Sequence, residues 1–102
     1  MPLFIKTEKF TSETMQLLPS QREHYLNEHR SWVSSLNQSD KKVSSGYLVN
    51  EEKLPGGGGL MVIKAKSFAE AKSLIQQDPI IVAGLVNWNL QEWIPVVGML
   101  LE

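Results

Sequence analysis

His29 and Asp78 are the two residues whose surroundings in the sequence suggest chemistry. Stepping at ~100° per residue through Ser20 to Asn37 puts Tyr25, Leu26, His29, Trp32, Val33 and Leu36 on one arc. Glu23, His24, Asn27, Arg30, Ser31 and Ser34 fall on the other. His29 therefore sits in the middle of an apolar face and His24 on a polar one. Asp78 ends a second apolar face, because Ala71, Leu74, Ile75 and Asp78 follow i, i+3, i+4, i+7 spacing. A carboxylate there must be paired, hydrogen-bonded or protonated. Pairing with a histidine fixes the imidazole tautomer and makes a usable general base near neutral pH. A plainer arrangement fits the same residues: a buried histidine satisfied by a backbone carbonyl, and an aspartate capping its own turn. Periodicity alone favours the plainer one.

The other candidates are weaker. His24 and His29 lie about 140° apart on a helix, so they cannot share a metal. The chain has no cysteine, and no metal or cofactor is expected. Gly56 to Gly59 permits close backbone approach to a ligand. No Lys-Ser or Lys-Thr follows it and a strand comes next, so it is not a phosphate loop, and a flexible hairpin connection is the simpler reading. Tyr47, Trp88 and Trp93 suit either a ligand pocket or a core or dimer interface. Lys41, Lys42 and Arg30 are given no role.

These residues need elements to hold them. Leu3 to Phe10 alternates, with Ile5, Thr7 and Lys9 against Phe4, Lys6, Glu8 and Phe10, and reads as a strand. Thr11 to Pro19 is a connection with one helical turn at Met15 to Leu18. Ser20 and Glu23 form a capping-box pattern that opens a helix to Asn37. After a polar loop at residues 37–42, Val43 to Asn50 reads as a strand, Glu51 to Gly59 as a turn, and Leu60 to Ala65 as a central strand. Ser67 and Glu70 repeat the capping box, and Pro79 stops that helix near Gln77 or Asp78. Val86 to Val97 is the last strand, with Pro95 marking an edge, a bulge or its end. The order βαββαβ is the ferredoxin-like α+β pattern: a four-stranded antiparallel sheet with both helices on one face.

At 102 residues the chain makes one small domain, taken as residues 1–100, whose thin core would gain from dimerisation. A net charge of −1 gives no bias toward nucleic acid or anionic membranes. No basic-then-apolar leader and no run of ~20 apolar residues is present, which with the lack of cysteine points to a cytoplasmic protein. Leu101 and Glu102 read as a cloning scar.

Four blocks, in order and spacing, resemble the YciI-like (YCII-related) domain family of dimeric α+β-barrel proteins. His29-Arg30-Ser31-Trp32-Val33 is similar to the family's helix block, and Gly46-Tyr47-Leu48 follows seventeen residues after the histidine. Gly57-Gly58-Gly59 precedes the central strand, and Ser67 to Gly84 contains Glu70-Ala71, Asp78-Pro79 and Ala83-Gly84. The resemblance covers nearly the whole chain. It implies that His29 and Asp78 are a catalytic dyad, that Trp32, Gly46, Tyr47 and Gly58 lie around a pocket, and that two sheets pack face to face in a homodimer. It also implies proton transfer, elimination or hydrolysis on a small, cyclic or aromatic-derived substrate, because the wider superfamily holds muconolactone isomerases, small monooxygenases and a dehydrochlorinase. A non-catalytic ligand-binding or accessory dimer is the alternative. Three positions depart from the family pattern: Leu26 stands where an arginine is common, Tyr47 replaces proline, and Ile80 replaces phenylalanine. Arg22 and Arg30 are the candidates to replace the missing arginine.

Overall fold

The register of the first strand decides which side chains meet. The computed structural model describes residues 1–39, 41–98 and 100. In it β1 (Leu3–Phe10) is flanked by β3 (Pro55–Lys64) and β4 (Val86–Trp93), antiparallel to both. β2 (Val43–Val49) pairs with the far side of β3, giving the order β2-β3-β1-β4 with β2 at an edge. Successive side chains of a strand point to opposite faces. Phe4, Lys6 and Glu8 therefore share the face of Ile63 and Met61, their partners or near neighbours across the β1/β3 ladder.

That face is covered by α2 (Pro19–Gln38) and α3 (Phe68–Ile75). Leu36 of α2 and Ala71 and Ile75 of α3 complete a core with Phe4, Met61 and Ile63. Trp32 and Val33 of α2 pack against it, and Phe68 meets Phe4 edge to face at 6.1 Å. The apolar arc expected on α2 is the inward one: Leu36 is buried and His29, Trp32 and Val33 are partly buried, while His24, Asn27, Arg30, Ser31 and Ser34 are exposed. The architecture is the ferredoxin-like βαββαβ, with two added single turns, α1 (Ser12–Met15) and α4 (Pro79–Val82). Among the described residues no helix is long and apolar enough to cross a membrane.

Several boundaries differ from those read in the sequence, each for a local reason. The glycine run is not a loop. It lies within β3, where Gly58 pairs with Lys9 and Gly59 with Glu8, because the eight-residue β1 requires a partner of matching length. The early helical turn is at Ser12–Met15, not Met15 to Leu18, because Thr11 accepts the Thr14 N–H at 3.2 Å. Ser20 does not cap α2. Pro19 occupies the first turn, where its missing N–H costs nothing, and Leu18 becomes the cap, its N–H donating to the Gln21 side chain at 3.0 Å. Ser67 does cap α3, accepting the Glu70 N–H at 3.1 Å. β4 ends at Trp93, before Pro95. The reading of Leu101 and Glu102 as a scar concerns residues outside those described.

Candidate functional site

Asp78 reaches the site by a different route from helical periodicity. Pro79 keeps its backbone extended (φ −61°, ψ 125°), so α3 has already ended and Asp78 caps α4 instead. Its Oδ1 accepts the Ile80 N–H at 3.2 Å, the local capping role expected of an aspartate before a turn. The same carboxylate also takes the His29 ring. Nδ1 lies 2.8 Å from Oδ1 and 2.9 Å from Oδ2. Capping and pairing are thus one arrangement: the α4 N-terminus aims the carboxylate and α2 brings the imidazole to it.

A third group lies beneath. Lys6, with no solvent exposure, donates to Asp78 Oδ2 at 3.0 Å and stands 2.6 Å from Glu8 Oε1. Lys6 and Glu8 are two apart on β1, hence on one face. Glu8 lies opposite Gly59, where a Cβ would sit 3.1 Å from the Gly46 carbonyl oxygen and against the Glu8 side chain. The glycine there leaves room for Glu8 to fold along the sheet. Lys6 and Asp78 are buried together with Glu8 at the partly exposed edge of the cluster, and paired charges of this kind are the ones a core tolerates.

The electrostatics of Asp78 follow from this. Burial pushes its carboxyl up, but the hydrogen bond from His29 and the positive charge of Lys6 outweigh burial and hold it below the ordinary value of 3.8. An ionised carboxylate only accepts, so Nδ1 carries the proton and, in the neutral ring, Nε2 is the acceptor. Nε2 lies 2.9 Å from Ser45 Oγ on β2, whose O–H donates to it. The imidazole is held at both nitrogens, with its side chain 12% exposed. Such a ring can receive a proton at Nε2 while the carboxylate stabilises the cation formed. Among the described residues no three His, Asp or Glu side chains gather as a metal site requires. The Lys6 ammonium occupies the space between the two carboxylates.

Of the other residues singled out in the sequence, Trp32 stands beside His29, ring centroids 6.1 Å apart, with its indole N–H buried and unpartnered. Tyr47 follows Ser45 by two on β2 and is 70% exposed. Gly46 and Gly58 occupy strand positions directed to the sheet's other face, and only the Gly46 carbonyl approaches the cluster, through Gly59. Arg22 donates to the Met15 and Leu17 carbonyls, and Arg30 is held by Glu23 and Asn27 on the solvent side. Neither arginine enters the site. The cation that does is Lys6, whose place beside Phe4 in the strand alternation was the signal for it. Ser45 carried none beyond its position before Gly46.

Fold and site together define a ferredoxin-like α+β protein with a largely buried His-Asp-Lys cluster where α2 and the start of α4 meet β1. The chain belongs to the YCII-related domain family, which it matches over residues 3–94. Among solved structures it is similar to a 5-chloro-2-hydroxyhydroquinone dehydrochlorinase from Burkholderia phenoliruptrix, in complex with 2,5-dihydroxybenzoquinone. The TM-score is 0.67 at 20% identity, over 89% of this chain and 92% of that one. A protein of Arabidopsis thaliana gives 0.57 at 15% identity over 98% and 100%. A dimeric ferredoxin-like protein from an uncultured marine organism gives 0.51 at 15% identity over 97% and 100%. At these identities the likeness is one of fold. No curated protein matches the chain in sequence.

Proposed function

We propose that this protein is an enzyme that moves protons on a small cyclic substrate, with His29 as general acid and base and Asp78 as the group that orients it. The observation that carries this is the two-oxygen grip of Asp78 on Nδ1, at 2.8 and 2.9 Å, which leaves Nε2 turned to the exposed hydroxyl of Ser45. Lys6 acts through Asp78, keeping it ionised, and is a positioning residue. Trp32 supplies an aromatic wall beside the imidazole. The neighbouring dehydrochlorinase suggests elimination from a chlorinated hydroxyaromatic: Nε2 takes a proton from the ring substrate as chloride leaves. The working form is a homodimer in the cytoplasm, joined through the sheet face that carries Leu3, Ile5, Leu60 and Val62, which the helices leave open.

A second reading has a specific observation behind it. Nε2 is already satisfied by Ser45, as in a hydrogen bond that only ties α2 to β2, and the protein would then be a binding or accessory domain. The test uses ¹⁵N-histidine NMR with chloride release from chlorinated hydroxyhydroquinones. The acid–base reading expects His29 as the Nδ1–H tautomer in wild type, a changed tautomer balance in Asp78→Asn, and chloride release lost in His29→Ala by ~100-fold or more. Chloride release unchanged in His29→Ala, or a His29 signal indifferent to Asp78→Asn, sinks it.

A further inference from the structure

Ser45 is not accounted for by proton transfer at Nε2 alone. Its hydroxyl, 2.9 Å from Nε2, extends a chain that runs from Asp78 through Nδ1 and Nε2 to an oxygen nucleophile. The sheet adds a second feature. Lys64 N–H donates to the Lys42 carbonyl, so residue pairs 42/64, 44/62 and 46/60 are the bonded ones of the β2/β3 ladder. Residues 43, 45 and 47 then turn their backbone N–H and C=O away from β3. Val43 shows this directly: its N–H and C=O are both taken by the Asn37 side-chain amide, at 3.2 and 3.0 Å. Two residues on, Ser45 turns its own N–H outward from the free edge of the sheet. Nucleophile, base, orienting carboxylate and an outward backbone N–H beside the nucleophile are the parts of an acyl-transfer site. Asn37 and His29 both belong to α2, so the Asn37 clamp on β2 also fixes how far Ser45 stands from the ring.

We propose that Ser45 is a nucleophile activated by His29, and that the site cleaves small carboxylic esters. The inference rests on the acid–base reading of His29 and Asp78 and names a substrate class for it. Ser45 Oγ adds to the acyl carbon as its proton passes to Nε2, and the oxyanion forms beside the Ser45 N–H. Collapse breaks the acyl C–O bond, and the Nε2 proton goes to the departing alkoxide. Water then adds to the acyl-serine, gives a proton to Nε2, and the carboxylic acid leaves with the Ser45 hydroxyl restored.

The test treats the whole chain with diisopropyl fluorophosphate and with p-nitrophenyl acetate, read by intact mass and peptide mapping. One adduct per chain is expected, located on Ser45. It is absent in Ser45→Ala and forms at least ~100-fold more slowly in His29→Ala. Ser45 is exposed, so Ser45→Ala keeps the fold, and circular dichroism verifies it. No adduct on wild type, or an adduct on Ser45 formed equally fast in His29→Ala, overturns the inference. If wild type forms no adduct while chloride release persists in Ser45→Ala and is lost in His29→Ala, Ser45 is no nucleophile and the acid–base reading stands alone. Loss of the adduct in Ser45→Ala and in His29→Ala with no chloride release from wild type supports the esterase chemistry and removes the elimination.

Discussion

Two histidines on one helix each hold a carboxylate, at nearly the same distance and with different consequences. His24 Nε2 lies 2.7 Å from Glu28 and His29 Nδ1 lies 2.8 Å from Asp78. The first pair has side chains 68% and 48% exposed, and the second 12% and 0%. Water screens the first pair, and both side chains lose rotamer freedom to hold it, so pairs of this kind contribute little. In the second, the carboxylate has given up its solvent. It is held by Lys6, the Ile80 N–H and the ring itself, and losing any of them leaves a buried charge short of a partner. Distance alone does not distinguish a surface ion pair from a site. Burial and the number of further partners do.

The largest test of this contrast is Lys6→Met. The methionine fits the volume but leaves Asp78 buried without its cation and Glu8 without its partner, and breaking a buried pair from one side costs about 3–5 kcal/mol. Urea unfolding of Lys6→Met should show a loss of that order. Lys6→Met with Asp78→Asn should recover part of it, because the amide still accepts the Ile80 N–H but carries no charge. If Lys6→Met alone unfolds like wild type, the cluster is not the electrostatic unit described.

Acid supplies the next test. The folded carboxyl of Asp78 lies below its ordinary 3.8, with burial opposing and His29 and Lys6 prevailing. A depressed folded value means the stabilisation is complete above the unfolded value and is lost as pH falls through the folded one. Wild type should therefore lose stability steeply below about pH 4. Asp78→Asn, less stable at neutral pH, should show a flatter acid limb. Parallel limbs in the two proteins would mean that Asp78 is not depressed.

Much of this site was legible in the sequence, and what was not failed for physical reasons. His29 and Asp78 stood out because an ionisable residue on an apolar stripe demands a partner. Helical spacing puts Asp78 on the apolar stripe, but the helix ends at Ile75, and the carboxylate is aimed by the cap of α4 instead. Lys6 shares the face of Phe4 in the strand alternation, but a lysine in a strand usually faces water, and only the paired carboxylates allow its burial. The glycine run reads as a loop because glycine is a poor strand former. Gly59 is in a strand because the ladder to Glu8 overrides that preference. Ser45 could not be found at all, since its meaning depends on a contact between α2 and β2 that no local spacing encodes.

A smaller effect is expected at Gly59. In Gly59→Ala the new methyl meets the Gly46 carbonyl oxygen at 3.1 Å and the Glu8 side chain, so Glu8 must shift from Lys6 or the strands must part. Overpacking of this kind costs about 1–3 kcal/mol, and chemical denaturation reads it directly. If crowding acts through Glu8, Gly59→Ala should cost less when Glu8→Gln is already present, because the two changes act on one contact. Full additivity would separate the glycine from the cluster.

The smallest effect closes the comparison at the other histidine. In the His24–Glu28 pair the histidine precedes the carboxylate by four residues, the less favourable order along a helix. His24→Gln keeps a long polar side chain and removes the imidazole contact to Glu28, so unfolding should change by less than about 0.5 kcal/mol. The same variant should leave the His29 tautomer signals where they are, since the two rings lie on different faces of α2 and share no partner. A loss above about 1 kcal/mol would place His24 in a structural role its exposure does not explain. A shift of the His29 signals would mean that the helix couples the two rings, and the division between surface pair and buried site would have to be redrawn.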